Sequence, residues 1–440
     1  MGFLLENIDV NGQMMRFSPF LMLINVAVFF CFIFSYFKMY KSTGKVIDYW
    51  YFISLQFFII PIVIMYPFSS SSGNIIATGG AYYTLEPYVN TAYMISLVGY
   101  FSFVIGGGVA GKNAIKIKFF ERCYTPLKDT FNLAVFSFFL LLMFAIFFAF
   151  QFYTGNFQNP RLFFMEHPIY RPIYNFVVSY FKVMVVILGA FCVDSKNKKW
   201  ALVLAVICLL GVSLGTRSSI IDSICYIAFL FFISSGKKIK FWHAVLFTAF
   251  VFIAVFALEI VRSGHSSGVF YNIIYGNTFS DVRDFAWILS YWDFKYIHGR
   301  TYISGIISFI PSSMSDYREI WAISRYTNKF VGFDSLVHPG LRPGKFGEPF
   351  FNFGIIGVIL LGGGLGYCLK RVSNEINVII KSTVEGKALR IFLTTLPFQF
   401  VSMFCLTSGF FEFYVLVLVI LCMVIFYYFS RKIMYMAIER

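Results

Sequence analysis

Charge is what this sequence most lacks. Only 13% of its 440 residues are Asp, Glu, Lys or Arg, against about 25% in an ordinary soluble domain. Acidic residues are the scarcer sign, 21 against 36 basic ones. Histidine is rare too, with five in the chain, and none stands at a zinc-ligand spacing from a cysteine. No glycine-rich loop of the nucleotide-binding kind is present, and no Asp-x-Asp pair of the kind that holds a divalent metal. The expectation is a protein without metal or cofactor. Cysteine is missing where oxidation would matter. Cys31, Cys208, Cys225, Cys405 and Cys422 sit inside hydrophobic runs, and Cys123, Cys192 and Cys368 fall at basic loops, so no disulfide is expected.

What the chain has instead is apolar mass. The apolar share is 59%, with 59 Phe and 28 Tyr, a composition suited to lipid tails as solvent. About 20 residues at 1.5 Å each cross the hydrocarbon core. Eleven runs approach that length, near 18–37, 48–67, 89–110, 131–153, 173–193, 199–214, 218–235, 241–260, 349–369, 388–408 and 411–430. The first has neither a basic leader nor a small-x-small cleavage site, so it is read as a span and not a signal peptide. The fold class expected is therefore all-α, a polytopic membrane protein of about 11 transmembrane helices.

Orientation follows from the short loops. One alternate set, from Lys38, Lys41 and Lys45 through Lys237, Lys238 and Lys240 to Arg431, Lys432 and Arg440, holds 22 basic residues. The other holds four: Arg16, Arg161, Arg171 and Arg217. The positive-inside rule puts the first set in the cytoplasm, the N-terminus outside and the C-terminus inside. The net charge of +15 is accounted for by this topology, and no nucleic-acid partner is expected.

Eight spans in residues 1–260 and three in 349–440 leave one long external segment, 261–348, as the place for chemistry. It offers 271–297 and 302–310 as amphipathic or partly inserted helices, the second stopped by Pro311. From His338 to Pro349 three Pro and three Gly in twelve residues forbid a regular helix. That shaped loop brings Arg342, Lys345 and Glu348 to the outer end of the ninth span, with Asn352 one turn on, so an anion and a hydroxyl nucleophile can be held together. A second anion site is expected where Gly215-Thr216-Arg217 opens the seventh span at a helix N-terminus. Arg283, Arg300 and Arg318 are further cations of the long segment, and Asp281 and Asp284 its reserve acids. Lys182 and Asp222, charged and inside spans, call for a partner or a cavity; mutual pairing of two helices is the plain reading. Gly354, Gly357, Gly362 and Gly366 read as close-packing positions.

The run Gly347-Glu348-Pro349-Phe350-Phe351-Asn352-Phe353-Gly354-Ile355-Ile356-Gly357, after a long external loop containing Ile310-Pro311, and the Gly215-Thr216-Arg217 turn resemble the O-antigen polymerases (Wzy-type oligosaccharide repeat-unit polymerases). The likeness covers about 205–370 in motif and the whole chain in topology. It implies a GT-C-like multispan architecture in the bacterial inner membrane, with the site and the N-terminus facing the periplasm. The activity implied is metal-independent, inverting transfer of a growing glycan from undecaprenyl diphosphate to the non-reducing end of a new lipid-linked repeat unit. Lipid-linked oligosaccharide, membrane lipids and a chain-length regulator are the partners implied. A sugar diphosphate is already a good leaving group, so Arg and Lys donors suffice to stabilise it. Glu348 and His338 are the base candidates; Arg217, Arg342, Lys345, Asn352, Arg283, Arg300 and Arg318 are the substrate-binding ones. An O-antigen ligase, which differs only in its acceptor, and a polysaccharide flippase or transporter are the alternatives. No internal repeat of the kind common in transporters is visible.

Overall fold

A computed structural model describes residues 6–8, 14–16, 18–67, 82–115, 133–155, 171–195, 197–211, 217–234, 281–310, 314–331, 340, 341 and 343–408, with isolated residues between 242 and 256. Apart from one antiparallel pair, β1 (Glu6–Ile8) with β2 (Met14–Arg16), the regular structure among them is helical. Helices occupy nine of the eleven expected runs; 411–430 lies outside the described residues and 241–260 almost wholly so. Four described helices are long and apolar enough to cross a membrane: Pro19–Thr43, Tyr88–Ala110, Gly344–Lys381 and Lys387–Leu406. The chain divides into two units, each drawing on separate stretches of sequence.

The first unit takes its described residues from 1–114, 256–373 and 398–413. Its helix α1 (Pro19–Thr43) starts where Ser18 accepts from Leu21 N at 3.4 Å and Pro19 sits in the first turn. It ends at Gly44, whose φ of 66° lets its N–H return to Tyr40 O. Phe20, Leu23, Phe30 and Phe34 on α1 are exposed, a pattern that suits lipid and not water. Asp48 caps α2 (Tyr49–Ser54) through Trp50 N at 3.0 Å, and the chain runs on as a π-helix, Leu55–Ile64, around Pro61. Next come α3 (Tyr82–Ala110) and, in the second unit, α4 (Leu133–Thr154), α5 (Arg171–Ser195), α6 (Lys198–Gly211) and α7 (Arg217–Ser234).

The long segment returns the chain to the first unit with four short helices: α8 (Asp281–Tyr291), α9 (Arg300–Ile306), α10 (Asp316–Trp321) and α11 (Ile323–Val331). Of the stretch expected at 271–297, residues 281–291 are helical, 292–297 are not and 271–280 lies outside the described residues, and the helix expected over 302–310 ends at Ile306. Helix α8 is buried along nearly its whole length and packs on α3 and α11. Then α12 (Gly344–Lys381) and α13 (Lys387–Leu406) close the described chain. Within the first unit α12 meets α3 along a seam of small residues. A methyl on Gly106 would strike the Gly363 carbonyl, and one on Gly366 the Phe103 carbonyl. Lipid offers helices no hydrophobic reason to associate, so close backbone approach is what such a seam supplies.

Two expectations change here. Helix α12 begins at Gly344, so the loop expected through Pro349 ends at Pro343. Pro349 stands inside the helix, where it withholds the N–H that the Lys345 carbonyl would otherwise accept. Gly354 is not a packing position but the place where α12 breaks, at φ 65° and ψ −158°, a region that only glycine enters freely.

In the second unit, which takes its described residues from 115–255 and 374–397, the contacts are mostly apolar. The packing of α7 and α6 on α5 is close because Gly189 lies against Ile227 and Gly211 against Phe181. Asp194, near the end of α5, accepts from Ala388 N at 2.9 Å and Leu389 N at 3.0 Å and so caps α13. Tyr226 bonds to the Thr395 hydroxyl, which itself donates to Phe392 O at 2.8 Å.

Candidate functional site

The break at Gly354 organises the site. It leaves Gly344–Phe353 as a half-helix with carbonyls that have lost their i+4 partners. Two are taken up from outside: Ile297 N donates to Phe351 O and His298 N to Asn352 O, both at 3.1 Å. The segment that supplies these donors is itself forced, with φ of 59° at Phe294, 49° at His298 and 82° at Gly299. Left-handed backbone at two side-chain-bearing residues in five is a local cost that the surrounding structure enforces.

Through this docking, the half-helix delivers Glu348 and Asn352 to the start of α9. Thr301 Oγ1 donates to Glu348 Oε1 at 2.8 Å. Asn352 Nδ2 donates to Thr301 Oγ1 at 2.7 Å and to Glu348 O at 2.9 Å. From just beyond α13, Ser408 N donates to Glu348 Oε2 at 2.6 Å, and the Ser408 hydroxyl lies against Oε1 and, at 3.3 Å, the Thr301 carbonyl. All four residues are buried. A carboxylate out of water is tolerable only with such donors. Asn352 Oδ1, also buried, makes no hydrogen bond among the described residues. Tyr302 closes one side: its hydroxyl donates to Cys405 O at 2.7 Å and its ring stacks on Phe353 at 5.9 Å. Burial, and then the nearby Glu348 carboxylate, hold this phenol well above its ordinary range, so it serves as a neutral donor.

The cations divide by what they already hold. Lys345 Nζ lies 3.8 Å from Asp281 Oδ2 and 5.5 Å from the Phe57 ring, so its charge is directed at Asp281. Arg283 pairs with its neighbour Asp284 at 3.0 Å, both buried. Arg318 donates to Ser308 O at 3.0 Å and to Ile310 O, tying the turn after α9. Arg300 is exposed, its guanidinium 4.6 Å from the Trp321 ring centre. Arg217 is the first residue of α7, but its side chain, like those of Lys182 and Asp222, is outside the described part. His338 and Arg342 lie outside the described residues. The structure therefore brings together Glu348 and Asn352, and separately Lys345 and Asp281.

Thr301 and Ser408 are the members of the cluster that sequence reading missed. Both are neutral hydroxyl residues, 47 and 60 positions from Glu348, and no spacing rule marks such a partner. Thr407-Ser408-Gly409 reads only as a tight turn between spans. Among the described residues no three of His, Cys, Asp and Glu converge as metal ligands would. No family model, no curated protein and no solved structure matches the chain.

Proposed function

We propose that the protein is a glycan polymerase of the bacterial inner membrane, working on lipid-linked oligosaccharide repeat units at the outer face. The observation that carries this reading is the interrupted helix, which holds a fully buried carboxylate against the long segment that the charge bias puts outside. Intramembrane carboxylates are costly and mark function more often than packing. In the reaction the acceptor hydroxyl attacks the anomeric carbon, the carbon–oxygen bond to diphosphate breaks, and the lipid diphosphate leaves with both electrons. Glu348 takes the hydroxyl proton, and Arg300, Lys345 and Arg342 supply positive charge for the leaving group. Because Glu348, Thr301 and Asn352 are sealed from solvent, α9 must part from the half-helix to admit the acceptor. The acceptor hydroxyl then replaces that of Thr301 or Ser408 on the carboxylate.

One observation favours a second reading. Discontinuous helices with a buried ionisable group also build the substrate sites of transporters, so a polysaccharide flippase is the alternative, and an O-antigen ligase remains the nearest enzymatic one. Purified protein in detergent with lipid-linked repeat units separates them, because detergent has no compartments. Polymer on the lipid carrier supports the polymerase; no polymer, with transfer only when lipid A core is added, replaces it with the ligase. Neither product, with translocation recovered in vesicles, makes it a transporter.

A further inference from the structure

After Tyr291, the last residue of α8, the segment Trp292-Asp293-Phe294-Lys295-Tyr296 alternates rings with charges and leads toward α9 beside the helix break. Trp292 is buried and serves as its base: Phe294 rests on it at 5.1 Å and Tyr296 at 5.6 Å, and Trp292 in turn meets Phe351 at 5.0 Å and Phe350 at 5.6 Å. Tyr296 also covers Gly354, where an added methyl would lie 3.2 Å from its ring. The outer rings are nevertheless open, Phe294 at 61%, Tyr296 at 46% and Tyr291 at 45% exposure.

Phe294 is the informative residue. Its φ of 59° is one that a bulky side chain adopts only under constraint. Burial does not compensate, since most of the ring faces outward. The turn is fixed locally, Asp293 Oδ1 accepting from Lys295 N at 3.2 Å and the two side chains pairing at 3.6 Å. Strain spent on presenting an apolar ring, on a rigid aromatic base, is a feature of a binding surface.

We propose that Phe294 and Tyr296, with Tyr291, form a ledge that stacks on the pyranose rings of a glycan. This rests on the reading of the protein as a glycan-handling one and names the place where the sugar is held. A pyranose offers a flat patch of C–H groups for a ring and hydroxyls at its rim for charged partners, and the alternation of rings with Asp293 and Lys295 fits that pattern. Lipid fits it less well. The Asp293 and Lys295 side chains flank Phe294 at 46% and 85% exposure, and sinking the tip into hydrocarbon would take both charges with it.

The test is titration of nanodisc-embedded protein with lipid-free oligosaccharide, released by mild acid from the lipid-linked repeat units of the host. Phe294→Gly should bind about tenfold more weakly, as loss of one stacking ring implies, while its thermal midpoint stays level or rises because glycine accepts that backbone freely. Tyr296→Leu should weaken binding likewise. Wild-type affinity in Phe294→Gly, or no binding by the unaltered protein, overturns the ledge. So does strong quenching by brominated lipid of a tryptophan introduced as Phe294→Trp, which would make the tip a membrane contact. The two proposals fail separately. Binding without polymer leaves the ledge and removes the polymerase; polymer formation with KM untouched by Phe294→Gly does the reverse.

Discussion

Glu348 in the first unit and Asp194 in the second are both carboxylates in membrane-type helices, both satisfied by hydrogen bonds, and they are held by different kinds of donor. Asp194 accepts from two backbone N–H groups, Ala388 and Leu389, at the one end of a helix where such groups are left over. Glu348 accepts from one backbone N–H and from two hydroxyls, Thr301 and Ser408. Backbone donors cannot turn away; hydroxyls can rotate and exchange a carboxylate for another acceptor. The first arrangement is what a fold needs to start a helix. The second can admit a substrate, and it stands beside a broken helix and a strained segment that the second unit's described residues do not match.

The sharpest way to break the comparison is to neutralise each acid without changing its shape. Glu348→Gln should lower polymer formation by about 10²–10⁴, the usual loss for a missing general base, with protein levels preserved. Asp194→Asn should leave activity near wild type while losing about 1 kcal/mol of stability, since an amide has one oxygen for the two N–H groups of Ala388 and Leu389, and Asp194→Ala should lose somewhat more. Polymer yields from purified variants check both. Equal tolerance of the two amides would return Glu348 to a purely structural role.

Removing donors one at a time sharpens it further. Thr301→Val keeps the volume but leaves Glu348 Oε1 and Asn352 Nδ2 each short of a partner, at a cost of about 1–3 kcal/mol for every buried group stranded. The thermal midpoint should fall visibly. A Ser408→Ala variant retains the backbone donor and should fall less. If Thr301→Val melts like wild type, the hydroxyl is dispensable and the proposed exchange loses its footing.

Gly354→Ala tests the break itself. Alanine must adopt φ near 65° with ψ near −158° and meet the Tyr296 ring at 3.2 Å, which together imply about 1–3 kcal/mol. The alternative is that α12 straightens and withdraws the Phe351 and Asn352 carbonyls from Ile297 and His298. Hydrogen exchange at those two amides separates the outcomes: protection with a lowered midpoint means strain, loss of protection means a straightened helix, and neither change would show that the break is not held by glycine.

Much of this architecture was legible in the sequence because lipid imposes one strong rule. Apolar runs, interrupted by charged loops, mark the helices of α1, α3, α12 and α13 whatever else the chain does. Glu348 and Asn352 were legible too, as polar residues a turn apart at the mouth of a span. What was not legible depended on contacts distant in sequence. Thr301 and Ser408 carry no pattern of their own, and the pairing of Lys345 with Asp281 joins residues 64 positions apart. Gly354 looks the same in sequence as Gly362 and Gly366. Only what lies opposite each in space, a backbone carbonyl at Gly362 and Gly366 and the Tyr296 ring at Gly354, tells a seam from a hinge.

That Lys345–Asp281 pair gives the smallest expected effect. Both side chains are partly exposed and the separation is 3.8 Å, the geometry of pairs whose net worth is about 0–1 kcal/mol. Lys345→Met should therefore shift the thermal midpoint little, and Asp281→Asn no more. Activity is a separate matter, because a cation at the start of the half-helix is worth more to a diphosphate with two charges than to one carboxylate. Steady-state assays on lipid-linked repeat units should show Lys345→Met raising KM, with kcat less affected, while Asp281→Asn, which frees the ammonium, lowers KM or leaves it level. If both variants lose stability and neither moves KM, the pair is a structural tie like the Asp194 cap, and the leaving group must be met by Arg300 and the other cations instead.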